Sequence, residues 1–310
     1  QRYHFVIYQP ISEKLSYQYL SFLKRKIRDL YRKDEQQACL DYALAYTEDL
    51  KTAFFTLKQI ITFKEKSRLG ELLSRTFTLE RVANFFPLLI ATWIRFRTEK
   101  GKLESTLNLI EIIVYRVYAI GRRRADTGIG RLYDLAYKVH RKNLEYDKII
   151  EELTQLVRYY EGDRAFERDL KVENFYNRVA KRDIKYLLFE YERFLREQSR
   201  EPLDIRLEDI LTDKFEIEHI WASDPSKLGL SEDLREIHEQ YKNKLGNLTI
   251  ASRAWNSKWG NNPFNAKRKE YEDSILRVQK ELSNPNEWDK EQVEKREGRI
   301  ICFALGKWKT

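Results

Sequence analysis

Several residue types are scarce in this 310-residue sequence, and their scarcity excludes whole classes of structure. The sequence has only two cysteines, Cys39 and Cys302, which are far apart and near no pair of histidines. It therefore carries neither a disulfide framework nor a cysteine zinc site, and we expect both thiols to be reduced and to lie in buried helices. Methionine is absent, even at position 1. Either the sequence begins inside a longer protein, or modified methionines have been left out of it.

Long apolar runs are also missing. No stretch approaches the length that a helix needs to cross a bilayer, and the first residues lack the basic-then-apolar layout of a signal peptide. We therefore predict a cytoplasmic protein without a membrane segment. No Gly-x-Gly-x-x-Gly segment follows a strand pattern and no Walker-type lysine loop occurs, so the sequence predicts neither of these phosphate-binding motifs.

Charge, in contrast, is abundant. The sequence has 58 Lys and Arg against 49 Asp and Glu, which gives a net charge of +9 and a pI near 9.2. This balance favours a polyanionic partner such as nucleic acid, although many basic proteins bind none.

Residues 1–205 are predicted to form a helical domain, because apolar side chains recur there at three- and four-residue steps. An apolar stripe from Tyr17 to Tyr31 indicates the first helix. In the second, over 40–64, Phe54 and Ile61 are predicted to face inward, and Gly70 is predicted to interrupt the helical pattern. Further helices are predicted over 78–97, 102–120, 145–160, 163–180 and 182–198.

The boundaries of these segments depend on a few residues. Thr78 is predicted to begin the helix over 78–97, in which Pro87 marks either a kink or the start of the second half. Pro202, Asp204 and Asp209 indicate a linker. We therefore predict a second domain over 206–310.

A glycine-flanked basic loop lies between two of the predicted helices, from Gly121 to Arg131. Arg122, Arg123 and Arg124 form its most basic part. One interpretation is that these arginines contact the phosphate backbone of DNA. The other is a solvated loop whose arginines pair with acidic helices elsewhere, and the sequence favours neither.

The second domain is organised around residues 215–258. Two short strands are predicted there, one at Phe215 to Ile220 and one at Leu248 to Ile250, and a helix follows the second. A helix over 230–242 begins at Ser231 and carries a histidine, His238, that is predicted to lie on the surface. Two more helices are predicted, over 265–282 and over 286–308. Trp288 and Trp308 are expected to pin the last one to the domain.

The polar residues of this stretch suit phosphodiester hydrolysis. His219 can act as the general base, because the pKa of histidine lies closest to neutrality. Glu218 and Asn256 offer oxygen atoms that suit Mg²⁺ or Mn²⁺, which would offset the charge that develops on phosphate. The side-chain amide of Asn247 can bond the backbone of the loop after the first strand and hold His219 in place.

In this strand, strand, helix order, Glu-His-Ile, Asn-Leu and Asn-x-Lys resemble an HNH (His-Me finger, ββα-metal) nuclease. The segments IEHI and LGNLTI, with Asn256, the NPF at 262–264, Lys267, Tyr271 and Trp288, resemble the C-terminal nuclease domain of GmrSD-type modification-dependent restriction endonucleases. The fold expected is therefore mainly α, a multi-helix domain followed by a small ββα-metal nuclease domain.

The resemblance implies a role for each residue at the site. His219 is implied as general base, Glu218 and Asn256 as ligands of one metal ion, and Asn247 as the loop brace. Lys258 or Lys267 is implied as a phosphate contact. Glu218 stands where HNH enzymes usually have Asp, and the proline that often follows the His-Ile pair is missing. Arg268, beside Lys267 at a predicted helix start, is a further candidate for DNA contact, because basic residues there oppose the helix dipole.

We therefore expect a metal-dependent DNA endonuclease of bacterial restriction or anti-phage defence, acting on modified or foreign phage or plasmid DNA. The resemblance also implies a sensor or NTPase domain or subunit outside this sequence. Two alternatives rest on the same residues. One is a DNA-binding or interaction module that keeps the HNH fold without activity, and the other is a nuclease that acts on RNA.

Overall fold

The computed structural model describes residue 7 and residues 19–32, 35–202 and 205–310. The chain divides into two compact units. The first comprises Gln1–Val114, Arg123–Tyr160 and Thr310, and the second comprises Tyr115–Arg122 and Glu161–Lys309. The fold is mainly α, as predicted, with a two-stranded sheet in the second unit. Within these described ranges, no helix is both long and apolar enough to span a membrane.

Seven α-helices occupy the described chain before residue 162. They are α1 Tyr19–Arg32, α2 Gln36–Ile61, α3 Arg68–Thr78, α4 Phe86–Phe96, α5 Lys100–Ile113, α6 Ile129–His140 and α7 Tyr146–Glu161. A short 3-10 turn at Ala83–Phe85 precedes α4, and α5 continues into a π-helical segment, Val114–Ile120. The helical character predicted for this region is confirmed.

Several predictions about these first helices are wrong in detail. Gly70 lies inside α3, because Ser67 caps that helix by accepting a hydrogen bond from the Gly70 backbone nitrogen. Thr78 ends α3 and does not begin the next helix, whereas proline does stand at the start of α4. Phe54 and Ile61, predicted to face inward, are 66% and 58% exposed. Apolar side chains occur on more than one face of α2, so their spacing alone does not identify the covered face. Tyr17 lies outside the described residues.

The second unit holds the remaining helices and both strands. They are α8 Asp163–Leu170, α9 Phe175–Arg178, α10 Lys181–Ser199, α11 Leu207–Leu211, β1 Phe215–His219, α12 Glu232–Tyr241, β2 Leu248–Ser252, α13 Arg253–Trp259, α14 Phe264–Glu272, α15 Arg277–Lys280 and α16 Lys290–Lys307. Short 3-10 turns occur at Pro225–Lys227, Leu245–Asn247 and Glu281–Ser283. Of the linker residues, Asp204 lies outside the described residues and Asp209 lies in α11.

Both predicted strands are confirmed, and they form an antiparallel pair. Ile217 lies opposite Ile250, and Glu218 lies opposite Thr249. All four of these residues are buried, so both faces of this small sheet are covered by the unit. The helix α12 begins after Ser231, also as predicted.

The last helix, α16, holds the second strand in place. The Arg296 guanidinium is fully buried and donates hydrogen bonds to the backbone oxygens of Gly246 and Leu248, at 3.0 and 2.7 Å. A Cβ atom at Gly246 would lie 2.0 Å from the backbone oxygen of Val293, so only glycine fits this close approach. Trp308, just beyond α16, is fully buried and stacks on Tyr115 at 4.0 Å between ring centroids.

Three further expectations need correction. The helix predicted over 265–282 is broken, because the Ser274 hydroxyl accepts a hydrogen bond from the Leu276 backbone nitrogen in a turn between α14 and α15. His238 is fully buried, and its Nε2 lies 2.7 Å from the Ala222 backbone oxygen, a partner that sequence spacing does not reveal. Neither cysteine is buried, because Cys302 is exposed and Cys39 is partly exposed, although both are free, as expected.

Candidate active site

The end of β1 brings Glu218 and His219 to the mouth of a cleft. The strand stops at His219, and the chain then turns away, with the Ile220 backbone nitrogen donating to the Asn247 oxygen at 3.0 Å. The cleft has a volume of about 440 Å³. Its lining is mostly polar and comes from α9, β1, the end of α12 and α13: Tyr176, Asn177, Ile217, Glu218, His219, Ser223, Lys242, Asn243, Asn256, Gly260 and Asn261.

Three of the residues predicted for catalysis therefore meet in one place. Glu218 and His219 are adjacent on β1, whereas Asn256 arrives from α13, which follows β2 directly. The antiparallel pairing of the two strands closes the sequence distance between them, because it sets the start of α13 beside β1. An imidazole, a carboxylate and a carboxamide thus line a single polar cleft.

His219 is held from two sides. Its Nε2 lies 3.2 Å from the Asn243 Oδ1, and its ring meets that of Tyr176 edge to face at 4.4 Å between centroids. Burial lowers the pKa of His219 to about 4, and the ammonium groups of Lys181, Lys267 and Lys242 act in the same direction. The imidazole is therefore neutral at pH 7. With Nε2–H donating to Asn243, the proton-free nitrogen is Nδ1.

Glu218 is paired with a buried lysine. The Lys267 ammonium donates to the Glu218 Oε1 at 2.5 Å and to the His219 backbone oxygen at 3.0 Å, and both side chains are almost wholly buried. Burial raises the pKa of Glu218 to about 7, although Lys267 opposes that shift. Lys267 thus fixes the carboxylate and the end of β1 together. Its ammonium is almost wholly buried against Glu218, and the phosphate contact expected of Lys258 or Lys267 stays a prediction.

Asn256 is oriented by a second carboxylate on the same strand. Its Nδ2 donates to the Glu216 Oε2 at 2.6 Å, and the Arg253 Nε lies 3.6 Å from the other oxygen of that carboxylate. Because the amide nitrogen is committed to Glu216, the carbonyl oxygen of Asn256 is the atom available to a ligand.

A divalent cation would have few protein ligands here. Among the residues that the structure describes, no group of three or more His, Cys, Asp or Glu side chains could hold a metal ion. Glu218 is the one carboxylate among the residues that line the cleft, and Asn256 offers an amide oxygen. These hard donors fit Mg²⁺ or Mn²⁺, ions that keep several waters and take up substrate phosphate oxygens.

Asn247 makes the hydrogen bonds that the sequence predicts for it. Its side chain is fully buried, with Oδ1 accepting from the Trp221 backbone nitrogen at 2.7 Å and Nδ2 donating to the Trp221 oxygen at 2.9 Å. Nδ2 also donates to the Lys242 oxygen at 2.8 Å, and the Trp288 indole donates to Oδ1 at 3.0 Å. One carboxamide therefore ties the loop after β1 to the end of α12 and to the segment before α16.

The other predicted DNA contacts are spread over the chain. The exposed ammonium of Lys258 lies 2.7 Å from the Glu270 carboxylate. Arg268 donates to the Ser283 backbone oxygen at 2.8 Å. In the basic loop, Arg122, Arg123 and Arg124 are exposed. Arg123 donates to the Tyr160 backbone oxygen at 3.4 Å, and Arg124 pairs with Asp126 at 2.9 Å. Both interpretations of this loop stay open.

Two residues that touch His219 are absent from the sequence predictions. Asn243 lies four residues before Asn247, and its polar character was the only signal that could have identified it. Tyr176 belongs to α9, far from the strands in sequence, and its backbone nitrogen donates to the Asn243 oxygen at 2.9 Å. The Lys181 ammonium lies over the Tyr176 ring at 2.8 Å from the centroid. These contacts are tertiary and leave no local pattern.

Comparison with known proteins gives one family match for the region that holds the cleft. Residues 160–302 match the family model for the C-terminal domain of GmrSD restriction endonucleases. The match begins at the start of the second unit's main segment and covers the whole cleft. No curated protein matches the chain. This match covers residues 160–302, less than half of the chain, and supports a GmrSD-type restriction endonuclease C-terminal region there.

Proposed function

We propose that the cleft at the end of β1 hydrolyses phosphodiester bonds in DNA, as an HNH (ββα-metal) nuclease does. The observation that supports this proposal best is the shared cleft of His219, Glu218 and Asn256, with the imidazole neutral at physiological pH. A neutral imidazole can accept a proton from water. A polar cleft of about 440 Å³ has room for a phosphate group and its waters.

The residues of the cleft divide the work. His219 takes the proton of the attacking water at Nδ1, and Asn243 keeps the tautomer by accepting from Nε2–H. The Tyr176 ring and the Asn247 hydrogen bonds hold the imidazole and its loop in place, which preserves the alignment that proton transfer needs. Lys267 keeps the Glu218 carboxylate in a fixed position.

Glu218 and Asn256 would hold a divalent cation, Mg²⁺ or Mn²⁺. Such an ion, when bound, offsets the negative charge that develops on the phosphate and on the departing oxygen. We propose in addition that the protein acts in restriction, on modified phage or plasmid DNA and together with a sensor domain or subunit. The family match over residues 160–302 supports this role.

One observation favours a second candidate, a DNA-binding module without activity. The ammonium of Lys267 already pairs with Glu218, the one carboxylate that lines the cleft, and the second predicted ligand, Asn256, is neutral, which is a small donor set for a metal ion. Cleavage separates the two candidates. Plasmid DNA and a folded RNA are incubated with the full chain in Mg²⁺, in Mn²⁺ and in chelator. Cleavage of DNA that requires the metal supports the proposal, RNA cleavage would redirect it to RNA, and intact substrates in all conditions would favour the inactive module.

A further inference from the structure

An exposed tryptophan stands beside the cleft. Trp255 precedes Asn256 on α13 and is 39% exposed, although tryptophan is a residue that proteins usually bury to a large extent. In the described part of the second unit the other exposed large apolar side chains are Leu234 and Ile275, and neither is aromatic. Successive residues of a helix lie about 100° apart around its axis. The indole therefore occupies the helix face next to the one that presents Asn256 to the cleft.

The indole is also held rigidly. Its ring lies 5.6 Å from that of Trp259, which is buried and donates through Nε1 to the Glu270 carboxylate at 2.6 Å. The Lys258 ammonium lies 4.6 Å from the centroid of the Trp255 ring and pairs with the other oxygen of Glu270 at 2.7 Å. These contacts connect the Trp255 indole to the buried Trp259, while part of the indole surface remains exposed to solvent.

A rigid, exposed aromatic ring flanked by cations suits a nucleobase. Every base has a π-face, so stacking on an aromatic side chain tolerates any sequence and contributes markedly to affinity for unpaired strands. Arg253, two residues earlier on α13, is 68% exposed at its side chain, and Lys258 is 59% exposed. These exposed cations precede and follow Trp255 on α13, and cations of this kind attract backbone phosphates.

We propose that Trp255 stacks on an unpaired base next to the phosphate that enters the cleft. The neighbouring phosphate is identified as the scissile one only if the proposed nuclease function holds. The stacking itself requires only that the strand binds at this face. The site thereby favours single-stranded or locally unpaired nucleic acid over a continuous duplex, because a base must leave its stack to reach the indole.

The test measures affinity without cleavage. The full chain, in chelator, is titrated with a fluorescent single-stranded oligonucleotide and with a series in which one abasic position is moved along the strand. We expect Trp255→Ala to weaken binding roughly five- to one-hundred-fold, in line with the contribution of one stacked base. One abasic position should weaken the unmodified protein by a similar factor and leave the variant unaffected. Leu234→Ala and Ile275→Ala, which remove exposed apolar side chains of the same unit, should change affinity less than twofold.

Trp255→Phe keeps an aromatic ring and should recover most of the affinity lost in Trp255→Ala. Circular dichroism checks that each variant is folded. The proposal is overturned if Trp255→Ala binds like the two controls, or if the abasic series weakens Trp255→Ala and the unmodified protein equally. If the protein cleaves DNA but gives either of these two outcomes, the nuclease function stands and the stacking role of Trp255 is refuted. If the abasic position weakens only the unmodified protein and no cleavage occurs, the stacking role stands and the nuclease function is refuted.

Discussion

Replacing Asn247 by alanine removes four hydrogen bonds from the interior of the second unit. The backbone nitrogen and oxygen of Trp221, the oxygen of Lys242 and the indole of Trp288 all lose their partner at once. A hydrogen bond contributes a net of about 0.5–1.5 kcal/mol, and a buried group left unpaired costs more than that. We therefore expect the free energy of unfolding to fall by about 4 kcal/mol.

Urea denaturation followed by tryptophan fluorescence measures this loss, with Asn284→Ala as the matched control. Asn284 is exposed and donates one hydrogen bond to the Glu281 oxygen at 3.3 Å, so its replacement should cost less than about 0.5 kcal/mol. Since the carboxamide of Asn247 ties down the loop after β1, any nuclease activity should fall by more than the unfolded fraction explains. A change below about 1 kcal/mol for Asn247→Ala would refute the bracing role.

Three other perturbations test the surroundings of the cleft. Lys267→Met leaves the buried Glu218 carboxylate unpaired and should destabilise the fold by roughly 3–5 kcal/mol. Adding Glu218→Gln should recover part of this loss. An unchanged urea midpoint for Lys267→Met would contradict the stabilising role of the ion pair. Gly246→Ala places a Cβ atom 2.0 Å from a backbone oxygen and should cost at least about 2 kcal/mol, whereas Gly298→Ala, on an open helix face, should stabilise slightly. Desolvation by burial lowers the pKa of Lys181 to about 8, so this side chain is cationic below that pH and neutral above it. Affinity for a DNA oligonucleotide should therefore fall as the pH rises through about 8, and Lys181→Gln should remove that decrease.

The sequence carried enough information to place most of the cleft. The two strands, the start of α12 after Ser231 and the hydrogen bonds of Asn247 follow local rules: alternation, acidic residues in the first turn of a helix and the affinity of carboxamides for backbone groups. Local rules also predict that Glu218 and Asn256 lie close together, because a short antiparallel strand pair restricts where the helix after the second strand can lie.

What the sequence did not reveal depends on tertiary contact. The family resemblance implies Lys258 or Lys267 as a phosphate contact, and it does not reveal that Lys267 is buried against the Glu218 carboxylate, which makes its burial tolerable. His238 is predicted to lie on the surface, yet its ring is buried and its Nε2 lies 2.7 Å from the Ala222 backbone oxygen. Tyr176 and Asn243 touch the predicted base from elements that no spacing links to it. Phe54 was assigned to the core because periodicity locates an apolar stripe without showing what covers it.

The central claim is that His219 is the base of a nuclease site. It is tested most directly by comparing the unmodified protein, His219→Ala and His140→Ala for nicking of supercoiled plasmid in Mg²⁺ or Mn²⁺, alongside DNA binding in chelator. His140 is the last residue of α6 and is not among the residues that line the cleft. The account predicts that His219→Ala binds DNA normally and loses metal-dependent nicking, at least about a hundredfold, while His140→Ala keeps both. Nicking by His219→Ala at the rate of the unmodified protein would contradict it.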